Sequence, residues 1–365
     1  MINLVLSFFT AVLIVVFVIP TIRMVSSMKG LFDIPDERKV HFLDIPRLGG
    51  LAIFAGFFIS TKLWGIWTDT SLPRIQYFEA ALFILFFSGL KDDLVKLTPY
   101  KKLLAQLLAT VIIIAGEDIR IKSFFGIFGI FELSYPVSFA LTLFTFIVIT
   151  NSFNLIDGID GLAGGIGLIT SLTFGLWFNF NGNMGWSIMA FSMSGALLGF
   201  LFFNFNPAKI FMGDSGALVI GFVMSVFAIQ FIDLSASSGS TIPAPSIAIA
   251  ILIIPLIDTL RVVIIRLIKK HPPFKADQNH IHHSILAIGL NHTETSLLLY
   301  LVNIIFVIIA FIMKESTLTS HMLTIFGIAL ILSFIPNFLF QQMKNESTFM
   351  KEKAMKNRKI ERGEL

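Results

Sequence analysis

The sequence predicts an all-α polytopic membrane protein with about eleven transmembrane helices, and three observations carry that prediction. Of 365 residues, 55% are hydrophobic and only 14% charged, with a mean hydropathy of +0.85. Soluble chains are about 45–50% apolar and about a quarter charged, so the surplus apolar surface must face lipid. The apolar residues gather into stretches close to the roughly 20 residues that cross a bilayer as a helix. Finally, Lys and Arg collect in alternate connections between those stretches, as they do in oriented membrane proteins.

In chain order the stretches run 4–22, 47–66, 75–90, 102–117, 135–150, 161–179, 186–204, 215–233, 245–262, 296–313 and 321–340. The first lacks a basic start and ends in Pro20-Thr21-Ile22-Arg23 with no small-residue cleavage pattern, so it reads as a span rather than a signal peptide. The 40 Phe suit helices packed in lipid, and the absence of Cys excludes disulfides and thiolate metal sites. The net charge of +4 reads as membrane orientation rather than nucleic-acid binding. Placing 23–47, 91–102, 151–160, 205–214, 261–294 and 341–365 on one side puts 22 of the 27 basic residues there. That side is cytoplasmic by the positive-inside rule. Eleven spans then leave the N-terminus outside and the C-terminus in the cytoplasm. Residues 1–340 are read as one transmembrane catalytic domain whose active-site loops are 23–47, 91–102, 151–160, 205–214 and 261–294. Residues 341–365 form a charged cytoplasmic tail.

Four motifs fall on the cytoplasmic face. In Gly89-Leu90-Lys91-Asp92-Asp93-Leu94, adjacent carboxylates repel and lose hydration at a membrane surface. A divalent cation relieves that, and Mg²⁺ favours carboxylates together with substrate phosphates. Lys101 and Lys102 follow, able to meet phosphate charge. A solvated loop of mixed charge explains this segment equally well. In Asn151 to Gly165, the residues Asn151, Asn154, Asp157 and Asp160 step by three along one helix face, beside Gly158, Gly161, Gly164 and Gly165. Polar groups next to glycines suit a phosphate-bearing ligand, and a plain capping turn is the alternative. In Phe211-Met212-Gly213-Asp214-Ser215-Gly216, Asp214 either caps the next span or holds a metal at the helix start, with Phe211 offering a stacking face. The fourth motif is Asp277-Gln278-Asn279-His280-Ile281-His282-His283, with His271 and His292 nearby. Zinc ligands and phosphate donors both use histidine; the acidic residues elsewhere suit Mg²⁺ better. Asp258 and Arg261 are expected to form an i,i+3 pair at a helix end. No Walker A, dinucleotide fingerprint or nucleophile elbow occurs.

Together, Asp92-Asp93 with Pro99 and Lys102-Leu103, the Asn151–Gly165 run, Phe211–Gly216 and His280-Ile281-His282-His283 resemble the polyprenyl-phosphate N-acetylhexosamine-1-phosphate transferases. The early loop Pro35 to His41 and Pro46-Arg47-Leu48-Gly49-Gly50 is similar too. The resemblance spans about 30–292. The His-x-His-His form is like the WecA/TagO branch; the three consecutive histidines and Phe-Glu of the MraY branch are absent.

The resemblance implies UDP-N-acetylglucosamine as donor, undecaprenyl phosphate as acceptor and UMP as the released product, at the bacterial cytoplasmic membrane. It implies Mg²⁺, with Mn²⁺ as a substitute, on Asp214 and Asn154. It implies catalytic roles for Asp92, Asp93, Asp157, His280, His282 and His283, and substrate contacts from Lys102, Asn151, Asp160, Phe211 and Arg266. Membrane lipid is the surrounding partner, nucleic acid is not, and a homodimer is admitted. Direct attack by the lipid phosphate and a covalent phospho-enzyme route both remain open. A muramoyl-pentapeptide donor is the nearest alternative. A transporter is the alternative of a different class, although transporters place ionisable groups near the midplane rather than at one face.

Overall fold

The computed structural model describes residues 1–31, 45–65, 75–127, 129–237, 242–270 and 280–361, with the side chains of the last helix described through 343. The early loop from Pro35 to His41, His271 and Asp277-Gln278-Asn279 lie outside the described residues.

Thirteen helices and one hairpin follow in order among the described residues. They are α1 (Ile2–Lys29), α2 (Gly49–Gly65), α3 (Ile75–Leu94), α4 (Pro99–Glu117), β1 (Ser123–Ile127), β2 (Ile130–Glu132), α5 (Tyr135–Ile156), α6 (Leu162–Phe180) and α7 (Met184–Asn204). Then come α8 (Gly213–Ser237), α9 (Ala244–Ile251), α10 (Ile253–Ile268), α11 (Ile281–Ala287), α12 (His292–Ile312) and α13 (Leu318–Glu361). Their ends follow local chemistry. Pro99 and Pro136 start α4 and α5, where a missing N–H costs nothing. Gly30 closes α1 in the left-handed conformation. Asn291 and Glu294 form a capping box at α12. The antiparallel hairpin pairs Ser123 with Glu132 and Ile127 with Ile130.

Each expected stretch holds helix, but among the described residues length and hydropathy qualify eight helices as spans, or nine with the bent pair α9–α10. α2 has 17 residues, and α3 closes on Lys91, Asp92 and Asp93. The stretch 245–262 is not one straight helix: α9 and α10 meet at 85°. Pro255 explains the break, because its ring cannot lie over the carbonyl four residues back. That carbonyl, Ile251 O, accepts instead from Thr170 Oγ1 (3.4 Å) and Asn303 Nδ2 (3.3 Å). Side chains from other helices thus satisfy the backbone group that the break frees.

α8 is the hub. It packs on α5, α3, α2, α6 and α9, and 89% of its apolar window is buried, against 28% for α1 and 17% for α13. A helix enclosed on all sides needs no polar stripe, and its sequence from Ala217 to Ile232 has none apart from Ser225 and Gln230. The ends of the helices around α8 bring the polar motifs together.

Candidate active site

The C-terminal ends of α3 and α5 meet the N-terminal ends of α4 and α8. α3 reaches α8 because Gly89 has no side chain. A Cβ there would lie 2.5 Å from Ser215 Cα and 2.6 Å from Asp214 O. Gly213 is similarly required: its φ is +72°, and a Cβ would meet both Asp93 carboxylate oxygens at 2.7 Å. Asp93 consequently sits over the start of α8. Its Oδ1 accepts from Asp214 N (2.7 Å), and its Oδ2 from Ser215 N (3.0 Å) and Ser215 Oγ (2.6 Å). A carboxylate from another helix thus caps α8, at the end where the helix dipole is positive.

Asp92, the next residue round α3, faces elsewhere. Its Oδ2 is 2.7 Å from Lys102 Nζ, and its Oδ1 accepts from Leu97 N. The same ammonium bonds Asp214 Oδ2. Asn154 Nδ2 donates to Asp214 Oδ1 at 3.0 Å. Lys102 therefore bridges two carboxylates contributed by α3 and α8. One turn along α4, Gln106 forms a reciprocal amide pair with Asn151: Asn151 Nδ2 donates to Gln106 Oε1 (2.8 Å), and Gln106 Nε2 to Asn151 Oδ1 (3.3 Å). This amide pair sets α4 against α5, and with them Lys102 against Asn154.

Asp157 follows α5 at its C-cap. Burial and the negative charges of Asp214 and Asp93 push its carboxyl up to about 7, against the opposing pull of Arg47. Asp160 is turned inward, with 2% of its surface exposed. Its Oδ2 accepts from Ala208 N (3.0 Å), its backbone carbonyl from Ser296 Oγ (2.9 Å), and His292 Nδ1 lies 3.5 Å from Oδ1. Asn204 joins the same two loops, accepting from Gly161 N (3.0 Å) and donating to Ile210 O (2.9 Å). Phe211 is anchored by its backbone: its N–H donates to Pro46 O (2.8 Å) and its carbonyl accepts from Gly49 N (2.9 Å). Its ring is half-buried.

The histidines form a second wall. His280 precedes α11, and its Nδ1 lies 2.8 Å from Asp258 Oδ2 on α10. Asp258 Oδ1 accepts from Ile281 N at 2.7 Å. His282 packs between His280 (centroids 5.5 Å) and His283 (4.3 Å). Its Nε2 abuts Gly158, where a Cβ would come within 2.5 Å. The histidines thus rest directly on the turn that carries Asp157. Burial and neighbouring imidazoles push His282 down to about 3, outweighing the pull of Asp258. Arg266 lies about two turns further along α10 and is buried.

Asp92, Asp93, Lys102, Asn154 and Asp214 are joined by direct contacts, and Asp157 lies within electrostatic reach of them. Gln106, Asn204, Ser215, Asp258 and Tyr300, whose hydroxyl donates to Gly161 O at 2.5 Å, support them. Of these, Ser215 lies in a sequence motif and Asp258 was expected only as a partner of Arg261; sequence reasoning did not select Gln106, Asn204 or Tyr300. Gln106 was findable, one helical turn after Lys102; Tyr300 carried no local signal.

Carboxylates outnumber cations here, and burial together with its acidic neighbours raises the carboxyl of Asp157. Such a site attracts a further positive charge. Among the described residues no three His, Asp or Glu side chains form a ready metal cage.

Residues 75–232, from α3 into α8, match the family model described as glycosyl transferase family 4. A protein described as a probable undecaprenyl-phosphate N-acetylglucosaminyl 1-phosphate transferase of Bacillus subtilis (strain 168) is 34% identical over 92% of this chain and 92% of its own length. The undecaprenyl-phosphate alpha-N-acetylglucosaminyl 1-phosphate transferase of Escherichia coli (strain K12) is 32% identical over 76% of this chain and 75% of its own. A decaprenyl-phosphate N-acetylglucosaminephosphotransferase of Mycobacterium tuberculosis (strain ATCC 25618 / H37Rv) is 32% identical over 80% of this chain and 78% of its own.

Proposed function

This chain belongs to glycosyl transferase family 4, and on that premise we propose that it transfers N-acetylglucosamine 1-phosphate from UDP-N-acetylglucosamine to undecaprenyl phosphate. An oxygen of the lipid phosphate forms a bond to the β-phosphorus of the nucleotide sugar. The bond from that phosphorus to the bridging oxygen breaks, and UMP leaves. The product, undecaprenyl-diphosphate-N-acetylglucosamine, starts a cell-envelope polysaccharide of the teichoic acid or O-antigen type. The observation that carries the proposal is the Asp92–Lys102–Asp214 bridge, with Asn154 on its far side. It offers charge of both signs at the mouth of the bundle, where two anionic substrates must meet.

Phosphoryl transfer needs positioning and charge neutralisation more than covalent help. Asp214 and Asn154 would hold Mg²⁺, with Mn²⁺ as a substitute; when bound, the ion neutralises phosphate oxygens. Asp92 orients the acceptor phosphate. A monoester's second pKa is about 6, so the acceptor is largely dianionic at neutral pH and needs little deprotonation. Lys102 and Arg47 supply positive charge to the diphosphate, Phe211 a face for uracil, and His280, His282 and His283 donors to diphosphate or sugar. Asp93 acts by holding the start of α8.

The site lies at the cytoplasmic face of a bacterial cytoplasmic membrane, with eleven spans, the N-terminus outside and the C-terminus inside. Supporting this, α3 and α5 end where α4 and α8 begin, as antiparallel neighbours crossing a bilayer would. The test is purified protein with undecaprenyl phosphate and a panel of UDP-sugars, with and without Mg²⁺, scored by UMP release. Turnover with UDP-N-acetylglucosamine that stops on chelation is expected. Turnover with only the muramoyl-pentapeptide donor, or with none, overturns the proposal.

A further inference from the structure

We propose that Asp258 is a positioning residue that holds His280 with its Nδ1 protonated, so that Nε2 is the nitrogen offered to the diphosphate. The inference rests on the transferase reading and adds to it a residue outside every motif that suggested the function.

The argument starts from the carboxylate. Asp258 is 2% exposed and His280 6%. A buried carboxylate must be bonded, or its desolvation is uncompensated. Both oxygens are used: Oδ1 accepts from Ile281 N at 2.7 Å, and Oδ2 faces His280 Nδ1 at 2.8 Å. An ionised carboxylate only accepts, so the proton of that contact belongs to Nδ1. The bond to the neighbouring backbone N–H stops the carboxylate from swinging away. Together the two bonds fix both the backbone entering α11 and the plane of the His280 ring. That plane lies within 12° of His282, whose own Nε2 rests on Gly158 beside Asp157. The orientation of His280 is thus tied to the acidic wall through one stacked ring.

Nε2 then has two useful states. In the neutral ring it accepts; in the imidazolium it donates to a phosphate oxygen as UMP departs. This is the division of labour of an aspartate that orients a histidine without itself exchanging a proton. The titratable groups that act on His282, the ring stacked on His280, are Asp258 on α10, His280 itself, His283 on α11 and His292 at the start of α12.

Asp258→Asn tests it. An amide oxygen placed on the Ile281 N–H leaves the NH₂ facing His280, which must then surrender its Nδ1 proton and carry it on Nε2. Turnover should fall about 100-fold, with the KM for UDP-N-acetylglucosamine changed less than about threefold. In ¹⁵N-histidine spectra, His280, assigned by its loss in His280→Gln, should show a protonated Nδ1 in the wild type and a bare Nδ1 in the variant. Asp258→Asn added to His280→Gln should cost nothing further. A bare Nδ1 in wild-type protein overturns the proposal even if the Asn variant does not fold. So do losses that simply multiply in the double variant. Wild-type protein that releases no UMP from any donor sinks the transferase reading instead, while the spectra still report on Asp258 and His280 by themselves.

Discussion

Replacing Gly89 by Ala asks whether the close approach of α3 to α8 is what builds the site. The added Cβ would sit 2.5 Å from Ser215 Cα and 2.6 Å from Asp214 O, whereas ordinary contact begins at 3.4 Å. Both neighbours are backbone, so no side chain can rotate aside. The helices must part by about 1 Å, the shortfall between those distances. Asp93's bonds to Asp214 N (2.7 Å) and Ser215 N (3.0 Å) would stretch towards or past the hydrogen-bonding limit. Asp92 would move away from Asp214 by a similar amount. A displacement of that size costs about 100-fold in turnover when reacting groups must be aligned. Overpacking of this kind destabilises by about 1–3 kcal/mol, enough to lower the unfolding temperature without preventing assay at 20–25 °C. The assay is UMP release together with a thermal unfolding curve in detergent. Gly327→Ala in α13, where a new Cβ meets nothing within 4 Å, is the control and should be neutral or stabilising by up to about 1 kcal/mol. A Gly89→Ala enzyme with wild-type turnover and wild-type unfolding temperature would refute the reasoning, because α8 could then shift without consequence.

Asp214→Asn should lower turnover at least about 100-fold and weaken Mn²⁺ binding measured by electron paramagnetic resonance, with little change in unfolding temperature; unchanged Mn²⁺ affinity would exclude the metal role. Asp93→Asn should cost about 1–2 kcal/mol of stability, the value of a helix cap, because its amide NH₂ would face donors on Ser215; unfolding at the wild-type temperature would show that the cap is not needed. His282→Gln should flatten the fall of stability with acid. The buried ring resists protonation down to about 3, while an unfolded His takes its proton near 6.5. Between those values the unfolded state binds more protons, so stability is lost as pH drops, by up to about 1.4 kcal/mol per unit. Unfolding temperatures measured from pH 7 to 4.5 check this, and equal slopes in both proteins would count against it.

The membrane-bundle architecture was legible because lipid imposes a composition that soluble proteins do not have. The break after Ile251 was not, although Pro255 stood in view: a proline within a span marks a kink only when something else takes up the freed carbonyl, and Thr170 and Asn303 lie far away in sequence. Within the site, Asp92, Asp93, Lys102, Asn154 and Asp214 were readable because acids and amides beside apolar runs are costly unless used. What could not be read was which groups turn inward. Asp160 continues the three-residue step from Asn154 and Asp157, yet the left-handed Gly161 (φ +80°) follows it, and the chain swings its carboxylate onto Ala208. Asp258 matched a local spacing rule with Arg261, and nothing local announced that it also reaches His280 and Ile281 at the start of α11, 22 and 23 residues away.

The adjacent pair Asp92-Asp93 shows why such a site can hold so much acid. Consecutive helix positions point about 100° apart, so two neighbouring carboxylates need not share an environment. Asp93 faces the exposed N–H groups at the start of α8 and is used up by three hydrogen bonds. Asp92 faces Lys102. Without Asp93, the N–H groups of Asp214 and Ser215 would need capping from within α8 itself, and Asp and Ser are good N-caps. A cap supplied by α3 removes that demand. The Asp214 side chain is thereby left to Lys102 and Asn154, the position from which a cation could be held. Asp93 thus caps α8 and leaves the Asp214 side chain to other partners, so the two adjacent acids have different contacts although their sequence surroundings are the same.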